Sequence, residues 1–319
     1  MTPNLKIFAG RANAALARKV SDYLGIPLGS REITPFPDGE LLVRINEDVR
    51  GRDVFIIQPT CHPGNDTLME LLVFLDCAKR ASAERITAVL PYFGYARQDR
   101  KDIGRVPITA KLVANLMTTA GADRVLTMDL HAAQIQGFFD IPTDNLQAEP
   151  VLSRYFAGLG VENFVLVSPD VGNTKCARIY ADRLGGELAI IGKRRVSGAE
   201  VETGRIIGEV RGKTVLMMDD MIATGGTVAK AAELCREEGA EGIYVGATHG
   251  VLCGPAIERL RDAPINEVVV TDTIPVGDDK AEALGKLKVL SVSELIGEAI
   301  HRIHNDESVS SLFSRASGR

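Results

Sequence analysis

Two adjacent acids and a pair of glycines follow a short apolar run in the second half of the chain. The run, residues 215–218, is dense enough in apolar side chains for a strand that is buried on both faces of a parallel sheet. Asp219 and Asp220 come next, and residues 221–227 then contain two threonines and two glycines. Apolar residues recur at helical spacing after that segment. The pattern predicts a strand, an acid pair, a glycine loop and a helix, in that order.

A loop of this kind presents unpaired backbone N–H groups at the start of a helix, where the helix dipole favours an anion. Phosphate would fit, because Gly225 and Gly226 let the backbone close around it and Thr224 and Thr227 supply hydroxyl donors. The acid pair would repel phosphate unless it faces something else. Vicinal ribose hydroxyls, with or without a divalent cation, suit paired carboxylates. The alternative is an ordinary strand-to-helix turn with a solvated acid pair.

Other polar clusters also follow apolar strands, and ligands bind at strand ends in open α/β sheets. Residues 91–101 place Arg97 and Gln98 among aromatic and charged side chains directly after a strand. A cationic cluster there suits a polyphosphate, and a solvated charged loop is the alternative. His131 follows the end of the next strand, so it should lie on the same ligand side. A lone histidine is more often a packed core residue.

Two turns and a basic triplet complete the candidates. Residues 36–40 combine an aromatic ring with two acids, and composition alone indicates a hairpin turn there. The turn at residues 168–173 contains Asp170, which offers the oxygen ligands that Mg²⁺ prefers. Residues 193–195 are Lys-Arg-Arg, which follow a strand and open a polar loop that reaches Gly204. A basic triplet is usually a solvated loop.

The composition is that of an ordinary globular protein and excludes some classes of partner. Apolar residues are 45% and charged residues 25% of the chain. A net charge of -5 gives no electrostatic footprint for nucleic acid or an anionic membrane. No segment has the length of a membrane span or the apolar core of a signal peptide, so we expect a cytoplasmic protein. The five widely spaced cysteines are interpreted as reduced packing residues.

The elements that must position these residues alternate along the chain. The apolar runs that predict strands, besides residues 215–218, are 54–58, 86–90, 125–128, 164–167, 188–191 and 268–271. The clearest helical patterns elsewhere are residues 66–81, 108–120, 173–184 and 256–261. This alternation indicates an α/β architecture with parallel sheets.

A length of 319 residues favours two domains. A polar stretch and a proline at residues 147–150 separate the patterns. We therefore place an N-terminal domain at residues 1–147 and a C-terminal domain at residues 148–302. Residues from about 303 to 319 are expected to pack back on the N-terminal domain.

The glycine loop and its acid pair resemble a known sequence. Residues 219–227 are similar to the ribose 5-phosphate loop of type I phosphoribosyltransferases and ribose-phosphate pyrophosphokinases, although many members carry an acid at the position of Ala223. The resemblance to the pyrophosphokinases extends from Phe8 to Phe313. It implies two similar domains of the type I phosphoribosyltransferase-like fold, each with a central, mainly parallel sheet flanked by helices.

The resemblance also implies an activity. Enzymes of this family transfer the diphosphoryl group of ATP to O1 of ribose 5-phosphate, which yields 5-phosphoribosyl 1-diphosphate and AMP for nucleotide biosynthesis. It implies Mg²⁺ as cofactor, phosphate and ADP as effectors, and a homo-oligomer, commonly a hexamer. A phosphoribosyltransferase and a non-catalytic regulatory relative are the alternatives. The first would not require an ATP-like cluster, and the second should have lost charged site residues that are present here.

Roles for individual residues follow from the same resemblance. It implies that Lys193 and Arg195 close over the transferred phosphates, and that Asp170 and His131 contact magnesium. The residues it assigns to ATP are Phe36, Asp38, Glu40, Arg97, Gln98 and His131. The residues it assigns to ribose 5-phosphate are Asp219, Asp220, Ala223, Thr224, Gly225, Gly226 and Thr227. The residues it assigns to the effector site are Arg50, Ser82, Ser308, Ser310 and Phe313.

Two departures from the family pattern bear on these roles. Asp48 stands where bacterial relatives often have serine, and an acid there would repel an anionic effector. Asn173 replaces the second glycine of the turn at residues 168–173. Asparagine tolerates left-handed backbone better than most residues, so the turn is expected to survive.

Overall fold

The computed structural model of the chain describes residues 4–195 and 201–312, and the side chains of Val171, 193–195 and 201–203 lie outside that description. The strands are β1 (Leu5–Ala9), β2 (Arg31–Pro35), β3 (Leu41–Ile45), β4 (Asp53–Ile57), β5 (Arg85–Leu90), β6 (Arg124–Met128), β7 (Thr143–Leu146), β8 (Phe164–Ser168), β9 (Glu187–Arg195), β10 (Val201–Ile207), β11 (Thr214–Ile222), β12 (Gly242–Gly250), β13 (Glu267–Thr271) and β14 (Leu287–Leu290). The helices are α1 (Ala14–Leu24), α2 (Gly64–Arg80), α3 (Thr109–Ala120), α4 (Glu149–Gly158), α5 (Thr174–Leu184), α6 (Gly226–Glu237), α7 (Ala256–Asp262), α8 (Asp278–Leu284) and α9 (Ser293–His304).

The first large sheet has five strands in the order β1-β4-β5-β6-β7, and every neighbouring pair in it is parallel. All five residues of β4 are buried, as expected for a central parallel strand with both faces covered. Phe8 of β1 and Phe74 of α2 are fully buried, and their ring centroids lie 5.7 Å apart. Strands β2 and β3 form a separate antiparallel hairpin.

The second large sheet has seven strands in the order β10-β9-β8-β11-β12-β13-β14. Its pairs are parallel except for β9 with β10, which are antiparallel. Its core combines apolar strand residues such as Val167 and Met217 with the apolar face of α6, including Ala232. The prediction of an α/β fold with mainly parallel sheets flanked by helices is confirmed.

The chain divides into two compact units. Unit 1 contains residues 1–147, 273–275 and 292–319, and unit 2 contains residues 148–272 and 276–291. The final return to the first unit begins at Val292, earlier than the residue near 303 that the sequence suggested, so α9 belongs to unit 1. Helix α9 packs so closely on α1 that a Cβ on Gly297 would collide with the ring of Tyr23.

A polar network fixes the end of α9 within unit 1. Arg85 of β5 donates from Nε to Asp53 Oδ1 over 2.9 Å and from Nη2 to the Ile303 carbonyl oxygen over 3.0 Å. His304 Nδ1 lies 2.7 Å from the other oxygen of Asp53. The guanidinium group therefore stabilises both a largely buried carboxylate and the end of a helix.

Replacing Arg85 should measurably destabilise the protein. We expect Arg85→Ala to lower the free energy of unfolding by about 1 to 2 kcal/mol, because the Asp53 carboxylate and the helix end lose a charged donor that is only partly exposed to water. Arg80→Ala is the control, since Arg80 forms an exposed ion pair with Asp76 of the same helix, where such pairs contribute only about 0.5 kcal/mol. Denaturant unfolding of both variants checks the difference, and equal losses would contradict the role given to Arg85.

Two strands extend further than the sequence pattern indicated. Strand β11 does not end at Met218 but continues through the acid pair to Ile222, because its pairing with β12 persists to that point. Strand β9 reaches Arg195 and pairs with β10, so residues 193–195 and 201–204 of the predicted polar loop belong to two antiparallel strands. Among the described residues, no helix combines the length and the apolar character that crossing a membrane requires.

Candidate functional site

The acid pair of unit 2 lies where the order of strands in the seven-stranded sheet reverses. From β8 the chain proceeds outward to β9 and β10, then returns to β11 on the other side of β8 and continues to β12. Strands β8 and β11 are parallel neighbours, with Phe164 paired to Thr214. In open α/β sheets, ligands bind at the carboxyl ends of strands at such a switch point. The residues that end or follow β8 and β11 are therefore the first candidates for a site in this unit.

Asp219 and Asp220 stand near the carboxyl end of β11. The Asp220 N–H donates to Asp219 Oδ1 over 2.9 Å, and Asp219 is paired with Ala247 of β12. Burial raises the pKa of Asp219, and a side-chain hydrogen bond with Asp220 and the charges of Asp220 and Asp170 raise it further, which together outweigh the lowering effect of the bond from the Asp220 N–H. Because neighbouring carboxylates resist being charged together, a ligand that donates hydrogen bonds or carries positive charge is favoured here.

Asn173 ties the turn after β8 to β11. Ser168 Oγ donates to the Asp170 carbonyl oxygen over 2.6 Å, and the Asn173 N–H donates to Asp170 Oδ1 over 3.0 Å. The side-chain Nδ2 of Asn173 donates to the carbonyl oxygen of Met218 over 2.6 Å, one residue before Asp219. The sequence predicted only that asparagine is tolerated in this turn. Its bond across the sheet could not be anticipated, since it depends on β8 and β11 being neighbours.

The glycine loop leads from β11 into α6. Gly225 has a φ of 71°, in the left-handed region that favours glycine, and Gly226 begins the helix. Gly225 occupies the N-cap position and has no side chain with which to cap α6. The first-turn N–H groups therefore suit an anion, and the exposed Thr224 and Thr227 lie beside them. Ala223 is partly buried and contributes no polar side chain.

A second group of predicted residues lies in unit 1, at the carboxyl ends of the parallel neighbours β5 and β6. Arg97 and Gln98 are exposed on the loop after β5, and His131 is exposed after β6. Gln134 Nε2 donates to Asp99 Oδ2 over 2.9 Å, so the two loops are joined. The structure thus brings the loops that carry Arg97, Gln98 and His131 to one edge of the sheet.

The loop that carries Arg97 and Gln98 is anchored at both ends. At its start, the Gly94 N–H donates to Thr60 Oγ1 over 2.6 Å, and a Cβ on Gly94 would collide with the Thr60 carbonyl oxygen. At its end, Thr109 Oγ1 donates to Gln98 Oε1 over 2.6 Å at the beginning of α3. Gln98 therefore has a structural contact as well as its predicted role with ATP.

The hairpin of unit 1 carries Phe36, Asp38 and Glu40 at its tip. The Phe36 N–H donates to the Glu40 carbonyl oxygen over 2.8 Å, and the Phe36 side chain is 44% exposed. Asp38 and Glu40 line a cavity of about 830 Å³ together with Arg11 and Asp66. The predicted hairpin turn is confirmed. An exposed ring beside two carboxylates suits a flat ligand that carries N–H donors.

Two of the predicted effector residues are close through their main chains. Arg50 and Ser82 are exposed, and the Gly51 N–H donates to the Ser82 carbonyl oxygen over 2.9 Å. Asp48 Oδ1 accepts the Arg50 N–H over 3.1 Å. The acid that departs from the family pattern therefore shapes the turn that carries Arg50.

The other effector residues belong to the segment after α9. Ser308 and Ser310 are exposed, and Arg302 of α9 donates to the Ser308 carbonyl oxygen over 3.1 Å. Arg302 also forms a hydrogen bond with Ser311. Phe313 lies outside the described residues.

The predicted catalytic cations lie on β9, where the structure describes only the backbone. Lys193 is paired with Thr203 of β10, and Arg195 with Val201. Their side chains, and residues 196–200, lie outside the described part of the chain. The roles of Lys193 and Arg195 accordingly remain predictions from the sequence.

The fold and the candidate site define an α/β protein with an acid pair at a switch point and a glycine loop whose N–H groups suit an anion, and comparisons with known proteins give its family. A family model described as the N-terminal domain of ribose phosphate pyrophosphokinase matches residues 5–121. A second, described as the phosphoribosyl synthetase-associated domain, matches residues 199–314. The chain belongs to the ribose-phosphate pyrophosphokinase family, whose members are transferases.

Individual relatives cover almost the whole chain. The chain is 61% identical over 315 residues to the ribose-phosphate pyrophosphokinase of Rhodopirellula baltica, which covers 97% of this chain and 98% of the relative. It is 54% identical over 315 residues to that of Caldanaerobacter subterraneus subsp. tengcongensis, with 98% and 99% covered. The crystal structure of phosphoribosylpyrophosphate synthetase from Mycobacterium smegmatis matches with a TM-score of 0.90 and 45% identity, over 95% of this chain and 99% of that one.

Proposed function

We propose that the chain transfers the diphosphoryl group of ATP to O1 of ribose 5-phosphate, which yields 5-phosphoribosyl 1-diphosphate and AMP. The observation that carries the proposal is the pairing of an anion-binding loop with an acid pair at the switch point of unit 2, in a chain of this family. A sugar phosphate has the two kinds of group that such a site requires, an anion at one end and hydroxyl donors along its ring.

Each part of the loop has a separate task in this proposal. The 5-phosphate binds the first-turn N–H groups of α6 and the hydroxyls of Thr224 and Thr227. Asp219 and Asp220 accept hydrogen bonds from the ribose hydroxyls, which supply the donors that the acid pair favours. Ala223 contributes backbone only, so the acid that many relatives carry there is not required for the phosphate contacts.

ATP is assigned to residues of unit 1. Arg97 suits the polyphosphate because guanidinium groups bind phosphate through two parallel hydrogen bonds. Phe36 suits stacking on adenine, and Asp38 and Glu40 suit its N–H donors. The joining of the Arg97 loop to the His131 segment supports a shared role for both in nucleotide binding.

Magnesium is the proposed cofactor, and the donor set of unit 2 fits it. Asp170 and the acid pair offer carboxylate oxygens, which Mg²⁺ prefers. In residues 4–195 and 201–312, no group of three or more His, Cys, Asp or Glu side chains could hold a metal ion by itself. Mg²⁺ commonly takes most of its ligands from substrate phosphates and water. When bound, Mg²⁺ neutralises charge on the transferring group. Asp170 is the preferred protein ligand, and His131 has a nitrogen that suits Mg²⁺ less well.

Replacing Asn173 tests how Asp170 is positioned. We expect Asn173→Ala to raise the Mg²⁺ concentration needed for half-maximal activity about three- to tenfold, because Asp170 loses its indirect link to β11. Asn163→Ala is a matched control, because Asn163 also donates to a backbone carbonyl oxygen of unit 2, that of Gly212. Activity is titrated with Mg²⁺ at saturating substrates. An unchanged midpoint for Asn173→Ala would show that this link does not position Asp170.

The reaction requires the ribose 1-hydroxyl to attack the β-phosphorus of ATP while AMP departs. Positioning and electrostatic stabilisation carry most of the catalysis in such transfers. Lys193 and Arg195 are proposed to neutralise charge on the transferring group. No residue is assigned as a general base.

The identity of the nucleotide product tests the proposed function directly. The protein is incubated with ATP, MgCl₂ and ribose 5-phosphate, and the nucleotides are separated by chromatography. We expect AMP in a one-to-one ratio with 5-phosphoribosyl 1-diphosphate. ADP as the stoichiometric product would contradict diphosphoryl transfer, and consumption of 5-phosphoribosyl 1-diphosphate with a free base would identify a phosphoribosyltransferase.

Assembly and regulation are further parts of the proposal. The exposed hairpin tip supports a homo-oligomer, with a hexamer as the proposed size, in which Phe36 reaches the nucleotide of a neighbouring subunit. Sedimentation under assay conditions tests this proposal, because a fully active monomer would contradict it.

Phosphate and ADP are proposed effectors at Arg50, Ser82, Ser308 and Ser310. Rates that do not respond to millimolar phosphate would exclude phosphate as an activator.

A further inference from the structure

Helix α7 and the residues before it lie directly against the glycine loop of unit 2. The Leu252 N–H donates to the Ile222 carbonyl oxygen over 3.0 Å, and the Cys253 N–H donates to the Ala223 carbonyl oxygen over 2.9 Å. The segment that enters α7 is thus hydrogen-bonded to the end of β11. The loop and α7 therefore form one local structure, although more than 25 residues separate them in the sequence.

The two glycines of the loop allow this close approach. A Cβ on Gly225 would lie 3.2 Å from Leu260 Cγ, and one on Gly226 would lie 3.2 Å from Arg259 Nη1. Both distances are tighter than ordinary side-chain contacts. Leu260 is fully buried, whereas Arg259 is exposed on the same helix. The guanidinium group of Arg259 therefore lies beside the first residue of α6.

Arg259 also holds the peptide group that precedes Gly225. Its Nη1 donates to the Thr224 carbonyl oxygen over 3.2 Å. The C=O and N–H of a trans peptide point in opposite directions, so this bond directs the Gly225 N–H away from α7. The loop amide is then oriented toward the side opposite Arg259. A fixed orientation of this amide avoids the cost of ordering it when an anion binds.

We propose that Arg259 is a positioning residue for the sugar-phosphate loop. It fixes the Thr224–Gly225 peptide and places a positive charge beside the N-terminus of α6, so that the loop is ready for the 5-phosphate of ribose 5-phosphate. The inference rests on the proposed function for the identity of the ligand. It adds a residue from another helix to a loop whose predicted contacts all lie within residues 219–227.

Steady-state kinetics with both substrates varied tests this role. Arg259→Ala should raise the KM for ribose 5-phosphate about tenfold, because the loop loses the charge-assisted hydrogen bond to the Thr224 carbonyl oxygen. The kcat and the KM for ATP should stay within about twofold of the wild-type values. Arg259→Met keeps the length of the side chain without a donor and should behave like Arg259→Ala. Arg259→Lys keeps a charged donor and should recover most of the affinity.

Arg261 provides a matched control on the same helix. It is exposed and pairs with its neighbour Asp262 over 2.9 Å, so Arg261→Ala should keep the wild-type KM. Calorimetric titration with ribose 5-phosphate alone gives a second measure that does not depend on turnover. Thermal melting verifies that each variant is folded.

The outcomes separate this inference from the proposed function. If the wild type forms AMP but Arg259→Ala and Arg259→Met keep the wild-type affinity for ribose 5-phosphate, Arg259 is not a positioning residue. Equal losses for ATP and the sugar, or a loss in Arg259→Met that Arg259→Lys does not recover, would also overturn the inference. If the wild type forms no AMP, the proposed reaction is wrong, and the calorimetric comparison still decides whether Arg259 supports sugar-phosphate binding.

Discussion

Lys193→Ala should lower turnover at least about a hundredfold while changing either KM far less. The expected reason is that Lys193 acts on charge that redistributes around the β-phosphorus, so its contribution is larger in the transition state than in the bound substrates. Loss of one preorganised donor at a transition state costs about 3 kcal/mol in comparable sites. Steady-state kinetics on folded, assembled protein, with ATP and ribose 5-phosphate both varied, measures the effect.

Arg195 provides an internal comparison for this prediction. Arg195→Ala should show a similar loss, and the double variant should lose less than the product of the two single losses if both cations act together. Arg205→Ala, on β10 but outside the predicted set, is the control that tests for a general effect of lost charge on the hairpin. Near-normal turnover in Lys193→Ala would mean that residues 193–195 are a solvated basic segment without a catalytic role.

Asp220→Asn should reduce the efficiency of ribose 5-phosphate use about ten- to a hundredfold. An amide offers one acceptor and a misplaced donor where the carboxylate offered two acceptors, and charge-assisted hydrogen bonds contribute about 1.5 to 3 kcal/mol each. The KM for ATP should change little, because the acid pair is assigned to the sugar. Initial rates with each substrate varied separate the two effects.

The control for this substitution is an acid elsewhere in unit 2. Asp182 is exposed on α5 and pairs with Arg178 over 3.0 Å, so Asp182→Asn removes the same charge away from the acid pair. We expect wild-type kinetics from that variant. A selective loss of ATP binding in Asp220→Asn, with sugar use intact, would show that the assignment of the acid pair to the sugar is wrong.

The alternating elements could be predicted from the sequence because apolar periodicity records local burial. The apolar runs at β4, β5 and β6 and the helical spacing of α2 and α3 each indicate their own element. The end of β11 could not be predicted in the same way. Its apolar run stops at Met218, but pairing with β12 carries the strand through two charged residues to Ile222.

The long-range hydrogen bonds that hold the candidate site in place were harder to predict from the sequence. Motif resemblance identified Asp170 and the glycine loop, because each of them lies within a motif of consecutive residues. The bond from Asn173 to Met218 spans 45 residues, and the bond from Arg259 to Thr224 spans 35. Neither partner carries a local pattern that points to the other. Such contacts depend on strand order and helix packing, which composition and spacing do not specify.

The placement of α9 affects the order in which the protein can fold during synthesis. Unit 1 is discontinuous, because α9 is encoded after all of unit 2 yet packs on α1 and is hydrogen-bonded to Asp53 and Arg85. A ribosome releases the first 147 residues long before it releases this helix. The face of α1 that contacts α9 therefore stays uncovered until all of unit 2 has been synthesised, by which time unit 2 can fold. Completion of the amino-terminal half is a late event in the biogenesis of this chain.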